Sequence, residues 1–232
     1  MKPALVAAAA FLLAGCVVDM ERTGPEEHET KSIDLDKSEM VRVDLKMGAG
    51  ELNVNGGSSK LMDADFTYNV ASWKPQVTYT SSGFRGNLTI EQPAHSHGGS
   101  RAHYRWEVRL NDQVPMDVHA ELGAGKATMN LGSLDLRSVR VDMGVGEMRL
   151  DLTGKPMRDY TVNINGGVGH AMVFLPRDAG IVANASGGIG NISVRGLEKR
   201  GGQWINPAHE NAPVTIHLDI QGGIGQIELV AE

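Results

Sequence analysis

A tripeptide of the form Gly-x-Gly occurs six times in this chain, and each copy stands between two stretches of alternating residues. The copies are Gly48-Ala49-Gly50, Gly123-Ala124-Gly125, Gly144-Val145-Gly146, Gly167-Val168-Gly169, Gly188-Ile189-Gly190 and Gly223-Ile224-Gly225. From the second copy they start at 123, 144, 167 and 188, so the steps are 21, 23 and 21. A repeat of that length built from strand-like alternation predicts a stack of β rungs.

The residues one, three and five positions before each triplet are apolar or small: Met47, Leu45 and Val43 in the first copy, Met143, Val141 and Val139 in the third. Their neighbours are polar, as in Lys46 and Asp44 or Asp142 and Arg140. Period two with one apolar face is a half-buried strand. Past the triplet the alternation resumes with Leu52 and Val54, Ala127 and Met129, Met148 and Leu150, but the parity has flipped. A one-residue shift turns every side chain over, so a straight strand cannot keep both sets on one side. Each unit therefore reads as strand, Gly-x-Gly corner, strand and turn, with glycine supplying the backbone freedom of the corner. The expected class is all-β, a single-stack β-solenoid with a narrow column of small aliphatics. A two-sheet sandwich is the competing architecture.

Between the first two copies the pattern changes. Leu61 to Val70, Gln76 to Thr80, Phe84 to Glu91 and Tyr104 to Leu110 read as four strands, and they hold most of the aromatics. Pro75 and Ser81-Ser82-Gly83 supply turns, and 93–99 reads as a loop. This insert is expected to form hairpins that cover the first rungs and protect a sheet edge. A second insert, 201–213 with Trp204, is expected to do the same near the other end.

The start of the chain is an export signal. Met1-Lys2 precedes an apolar run, Ala4 to Leu13, too short for a spanning helix of about 20 residues. Leu13-Ala14-Gly15-Cys16 resembles the bacterial lipobox, in which the cysteine becomes the lipidated first residue. Cys16 is the chain's one cysteine, so an internal disulfide is excluded. The organisation expected is a signal peptide over 1–15, a flexible acidic tether over 16–31 beginning at lipidated Cys16, and the solenoid over 32–232. Val17 after the cysteine favours the outer membrane where the host has two, by resemblance to known sorting patterns. Net charge is −6 without a Lys/Arg cluster, which argues against nucleic acid as a partner.

Asp65-Phe66-Thr67-Tyr68-Asn69-Val70 with Trp73-Lys74-Pro75, then Trp106-Glu107-Val108-Arg109-Leu110-Asn111 through Val114-Pro115, the Gly-x-Gly rungs and Ala212-Pro213-Val214-Thr215-Ile216 together resemble the bacterial toast-rack domain family, DUF2154. The resemblance runs from about Asp44 to Leu229. Its relatives include the C-terminal domains of LiaF-like envelope proteins, which restrain a membrane kinase during envelope stress. It implies a β-solenoid, and the membrane helices of those relatives are not expected in this chain.

The chemistry-bearing residues do not assemble into a catalytic motif. The glycines precede strands, whereas a phosphate cradle needs a helix N-terminus behind them. His95-Ser96-His97 with His103 offers imidazoles but no complete ligand set, so no metal and no cofactor is expected. His119, His170 and His217 fall on outward positions, with Glu121 and Asp142 near the first, and read as a solvated polar face. Asn163, Asn165, Asn184 and Asn191 suit amide ladders between rungs. Trp73, Trp106 and Trp204 read as seals on a core, or as a sugar platform if exposed. The expectation is a non-catalytic, membrane-anchored envelope scaffold that contacts another envelope protein or its own copies. The alternative is a carbohydrate-binding module for cell-wall or surface glycans, and an enzyme acting on glycans ranks third.

Overall fold

A computed structural model describes residues 20–21, 23–93, 97–98 and 101–232. The signal peptide, Cys16 and His95 lie outside the described residues. Six long strands carry the Gly-x-Gly triplets: β3 (Met40–Ser58), β9 (Met116–Asn130), β10 (Leu136–Asp151), β11 (Tyr160–Leu175), β12 (Gly180–Arg195) and β15 (Thr215–Ala231). They stack in parallel and in register, so that Gly50, Gly125, Gly146, Gly169, Gly225 and Gly190 stand one above another. The fold is the expected solenoid, built as one open sheet of 13 strands.

Chain length forces the corner. Drawn out straight, the 16 residues of β10 would span about 50 Å. The connection from β11 to β12 is residues 176–179, which reach no more than about 18 Å. Each long strand must therefore double back on itself. It does so at the second glycine of the triplet, where φ lies between +133° and +148° in all six copies. The two arms then face each other, and both inward sets are buried: Val118, Ala120 and Leu122 before the corner, Ala127 and Met129 after it, all at most 2% exposed. One continuous hydrophobic core fills the space between the arms.

Glycine is required at the corner for a second reason. A Cβ built on Gly123, Gly144 or Gly167 would land on the carbonyl oxygen of the glycine in the neighbouring rung, and one on Gly188 would stand 2.6 Å from the carbonyl oxygen of Gly223. The rungs pack backbone to backbone at the corner, and only hydrogen fits between them.

The two ends of the stack are closed differently. At the β3 end, β6 (Arg85–Glu91) pairs with the first arm of β3 and β8 (Tyr104–Asn111) with its second arm. β5 (Gln76–Ser82) then covers β6, while β4 (Met62–Tyr68) and β2 (Glu27–Ile33) cover β8. The missing corner of this split rung is replaced by Gln92, whose Oε1 accepts from the N–H groups of Gly48 (2.8 Å) and Ala49 (3.3 Å). The insert is thus the hairpin cap its turns predict. At the other end, β13 (Glu198–Arg200) and β14 (Gln203–Ile205) form a short hairpin on β12. It pairs only at Val182 and Ala183, in the first arm. A further two-residue pairing joins β1 (Met20–Glu21) and β7 (His97–Gly98). The helices among the described residues are two short 3-10 turns, Ala71–Trp73 and Pro207–Glu210.

One expectation needs correction. Residues 27–31, read as part of a flexible tether, belong to β2, so the folded body begins before residue 32. The strand is polar on both faces because it lies at a sheet edge, its side chains bonding sideways: Thr30 to Asp65 (2.9 Å) and Ser32 to Asp63 (2.8 Å). The order of rungs in space does not follow the sequence, since β15 lies between β11 and β12. Its ends are tied there by the Thr215 N–H to Asp159 (2.7 Å) and the Glu232 N–H to the Leu175 carbonyl (3.1 Å).

Candidate functional site

Outward residues at equal distance from the corner form ladders across the stack. Four positions before the first glycine, β3, β9 and β10 present Asp44, His119 and Arg140; two positions before it they present Lys46, Glu121 and Asp142. His119 sits at the centre. Its Nδ1 is 3.2 Å from Asp44, its Nε2 is 3.0 Å from Asp142 and 3.5 Å from Glu121. Arg42 donates to Asp44 (2.9 Å) and Arg140 to Asp142 (2.6 Å), and the Asn165 amide donates to Asp142 (2.7 Å). Burial raises the Asp142 carboxyl, but its bonds to Arg140, Asn165 and His119 outweigh that and hold it at about 2. The same balance, with Arg42 and His119 opposing burial, keeps Asp44 below the usual carboxylate range.

Both imidazole nitrogens are therefore engaged in tying three rungs together, and both carboxylates are already paired. Asp44 and the two arginines are the partners that sequence reading missed. They become visible only when the rungs are superposed by distance from the corner.

A depressed folded pKa stabilises the native state above the unfolded value and stops doing so as pH falls through the folded one. Asp142 is thus expected to contribute its full stabilisation above pH 4 and to lose it between about pH 4 and pH 2. Thermal melts should show Asp142→Asn a few degrees less stable than the native chain at pH 7, with the difference shrinking below pH 4 and vanishing once the pH has fallen through about 2.

The other singled-out residues do not join this cluster. His170 Nε2 is 3.3 Å from Glu228 on the second arm, His217 is exposed on β15, and His103 Nδ1 is 3.0 Å from Glu26. Among the described residues no group of three or more His, Cys, Asp or Glu has the geometry of a metal site. Trp73 and Trp106 are buried in an edge-to-face aromatic cluster with Phe66, Tyr68 and Tyr104, which removes them as a sugar platform. Trp204 is half-buried, with the Lys199 ammonium 5.5 Å from its ring centre.

The corner edge carries a different kind of surface. Going from β3 to β12, the middle residues of the triplets are Ala49, Ala124, Val145, Val168, Ile224 and Ile189. The last four are large, in register and about half exposed or more, with Ile189 at 71%. Exposed aliphatics are ordinarily scattered singly, whereas these four stand in one continuous row.

Beneath the ridge the core thins. The inward residues flanking the corner are Met47 and Leu52 in β3, Leu122 and Ala127 in β9, and Met143 and Met148 in β10. They become Gly166 and Ala171 in β11, Gly222 and Ile227 in β15, and Gly187 and Ile192 in β12. In β15 the Ile227 Cδ1 reaches to 3.0 Å from where a Gly222 Cβ would stand. In β11 both flanking residues are small, and a cavity of about 110 Å³ remains between Met143, Met148, Ile164, Ala171, Ile192 and Ile227. A Cβ on Gly166 would have the Gln221 carbonyl oxygen at 4.0 Å as its nearest neighbour, and φ there is not left-handed. Gly166→Ala is therefore expected to stabilise the fold by about 0.4–1 kcal/mol, read as a raised urea midpoint at unchanged m-value.

The family model for the N-terminal domain of toast_rack, DUF2154, matches residues 22–174. The crystal structure of a "putative cell adhesion protein" from Clostridium sporogenes superposes with a TM-score of 0.87 at 30% identity, covering 90% of this chain and all of that one. A "putative adhesin" from Bacteroides fragilis aligns over 90% of this chain and 99% of its own at 8% identity, with a TM-score of 0.31. No curated protein matches the chain.

Proposed function

The chain belongs to the toast-rack (DUF2154) family, and from that premise we propose that it is a non-catalytic interaction module of the bacterial cell surface or envelope, held to a membrane by lipid on Cys16. The observation that carries the reading is the exposed aliphatic ridge Val145, Val168, Ile224 and Ile189 along the corner edge. A solenoid presents such a row to a partner over several rungs at once, and recognition then rests on many modest contacts around an apolar centre. The description of the Clostridium sporogenes relative as a cell adhesion protein supports a surface role of this type. The carboxylates nearest His119 are spent on arginine, amide and imidazole partners, which favours binding over acid–base work.

Attachment follows from the lipobox-like Leu13-Ala14-Gly15-Cys16. More than one acyl chain is needed for stable anchoring, so loss of the cysteine is all-or-none in effect. Restraint of an envelope stress sensor is one contact such a module would make.

Crosslinking of the tagged protein in living cells, followed by mass spectrometry, tests the reading. A stoichiometric protein partner is expected, and Cys16→Ala should abolish fatty-acid labelling, move the protein to the soluble fraction and lose the partner. Capture of glycan without protein, or a Cys16→Ala protein that still labels and sediments with membranes, would overturn it.

A further inference from the structure

From Ser186, through the corner and along the second arm to Arg195, β12 is paired with β15 along one side, and no pairing is formed on its other side among the described residues. Among the described residues, both the sheet and the core column end uncovered here. At the equivalent inward positions Ala127, Met129, Met148, Leu150, Ile227 and Leu229 are at most 6% exposed, whereas Ile192 and Val194 are only half-buried. The other terminal strands are guarded. β2 carries Glu29 bridged to Lys31 (2.8 Å) and Lys74 (3.3 Å), and Ser38 of the preceding loop lies against Tyr79 of β5 (3.2 Å). Natural sheets shield exposed edges with charge, proline or a covering segment. From Ile181 to Val194 the β12 strand has neither an ionisable side chain nor a proline, while β10 carries Arg140, Asp142, Glu147, Arg149 and Asp151.

We propose that this edge is a strand-addition site, which takes an extended, uncharged segment of a partner protein with aliphatic side chains at every second residue. Its backbone would satisfy the outward N–H and C=O groups of β12, the general basis of recognition by β-augmentation. Its aliphatic side chains would lie over Ile192 and Val194 and prolong the core by one rung. A charge placed there would be desolvated without a counter-ion, so a neutral edge in a chain of net charge −6 selects a neutral segment. The space is one segment wide, because the β13–β14 hairpin already occupies the first-arm half of the same layer. A second folded copy meeting this end would bring two such hairpins into that layer. The inference deepens the interaction reading above and rests on it for its cellular use.

The test uses the purified folded protein and an end-blocked peptide of residues 224–231 of this chain made uncharged by Glu228→Gln. In the native stack that sequence lies beside β12, with Ile227 and Leu229 level with Ile192 and Val194. Hydrogen exchange of the amides from Gly187 to Arg195 is followed with the peptide, and with the same peptide carrying lysine at both aliphatic positions. At least ten-fold slower exchange of these amides with the first peptide, and no change with the lysine peptide, is the expected result. No protection by either peptide, or equal protection by both, would overturn the proposal. Amides already protected without peptide, together with a dimer in sedimentation, would do so in favour of a second copy. None of these outcomes decides what crosslinking captures in cells, so failure here and failure of the interaction reading are told apart.

Discussion

Gly125→Ala is expected to cost about 4 kcal/mol or more and to leave much of the chain unfolded at room temperature, as read by urea denaturation and far-UV circular dichroism. Two penalties coincide at this residue. Its φ of +133° lies in backbone territory that is open almost solely to glycine. In addition, an alanine Cβ would land on the carbonyl oxygen of Gly50, with Gly50 C at 2.9 Å and N at 3.1 Å behind it. Those atoms are backbone held by the pairing of β3 with β9, so they cannot step aside without breaking the ladder. The comparison that keeps a positive φ but lacks the contact is Gly83→Ala. Gly83 also has a positive φ, +62°, but an added Cβ there meets nothing within 4 Å. It should cost about 1 kcal/mol. Equal losses at the two sites would show that φ alone sets the need for glycine and that the corner rungs are not in backbone contact.

This double requirement explains why the corner was so legible. A strand that must turn over its inward face, bend within three residues and pass its neighbour at backbone distance leaves glycine at both ends of the triplet, and the six copies advertise themselves. The insert strands were legible for a simpler reason: Phe66, Tyr68, Tyr104 and Trp106 alternate with polar residues, and one face is fully buried. What alternation cannot convey is which rung lies beside which. Every long strand shares one register and one corner, so placing β15 between β11 and β12 leaves the sequence pattern unchanged. That order is decided by contacts at the strand ends, such as Asp159 to Thr215, which carry no period.

The same limit applied to the surface. Alternation places His119 outward with Glu121 and Asp142 nearby, yet Asp44, 75 positions away, is its other partner. The ridge does not show in the alternation because the middle residue of each triplet belongs to neither alternating set. Aligned on the corner in stack order, these residues grow from alanine to isoleucine, and the last rung, β12, carries Arg195 as its one ionisable side chain. Both features mark the β12 end, where the unpaired arm lies. The two ends of the repeat thus differ: the β3 end is closed across both arms, whereas β12 is covered in its first arm alone among the described residues.

Closure at the β3 end depends on one side chain above others, and Trp106→Ala is expected to cost about 3–5 kcal/mol. Trp106 is fully buried, level with Leu52 of β3 on one side and Phe66 of β4 on the other. Its ring meets Phe66 edge-to-face at 5.7 Å and Tyr104 at 5.6 Å, and Tyr104 passes the contact on to Trp73 at 5.4 Å. Removing the indole opens a void at the junction of the cap and the first rung. No neighbour can fill it without leaving its own strand, because Phe66 and Tyr104 are fixed by pairing on β4 and β8. Trp204→Ala, at a half-buried ring beside Lys199, should cost about 1 kcal/mol and serves as the control for loss of a tryptophan as such. In a stack where each rung contacts its neighbours alone, damage at one end need not reach the other. Hydrogen exchange of Trp106→Ala should therefore speed up first in β8, β4 and β2, while β10, β11 and β15 stay protected. Uniform acceleration through all rungs would instead mean that cap and stack unfold as one cooperative unit, and that the long column does not behave as a series of separable rungs.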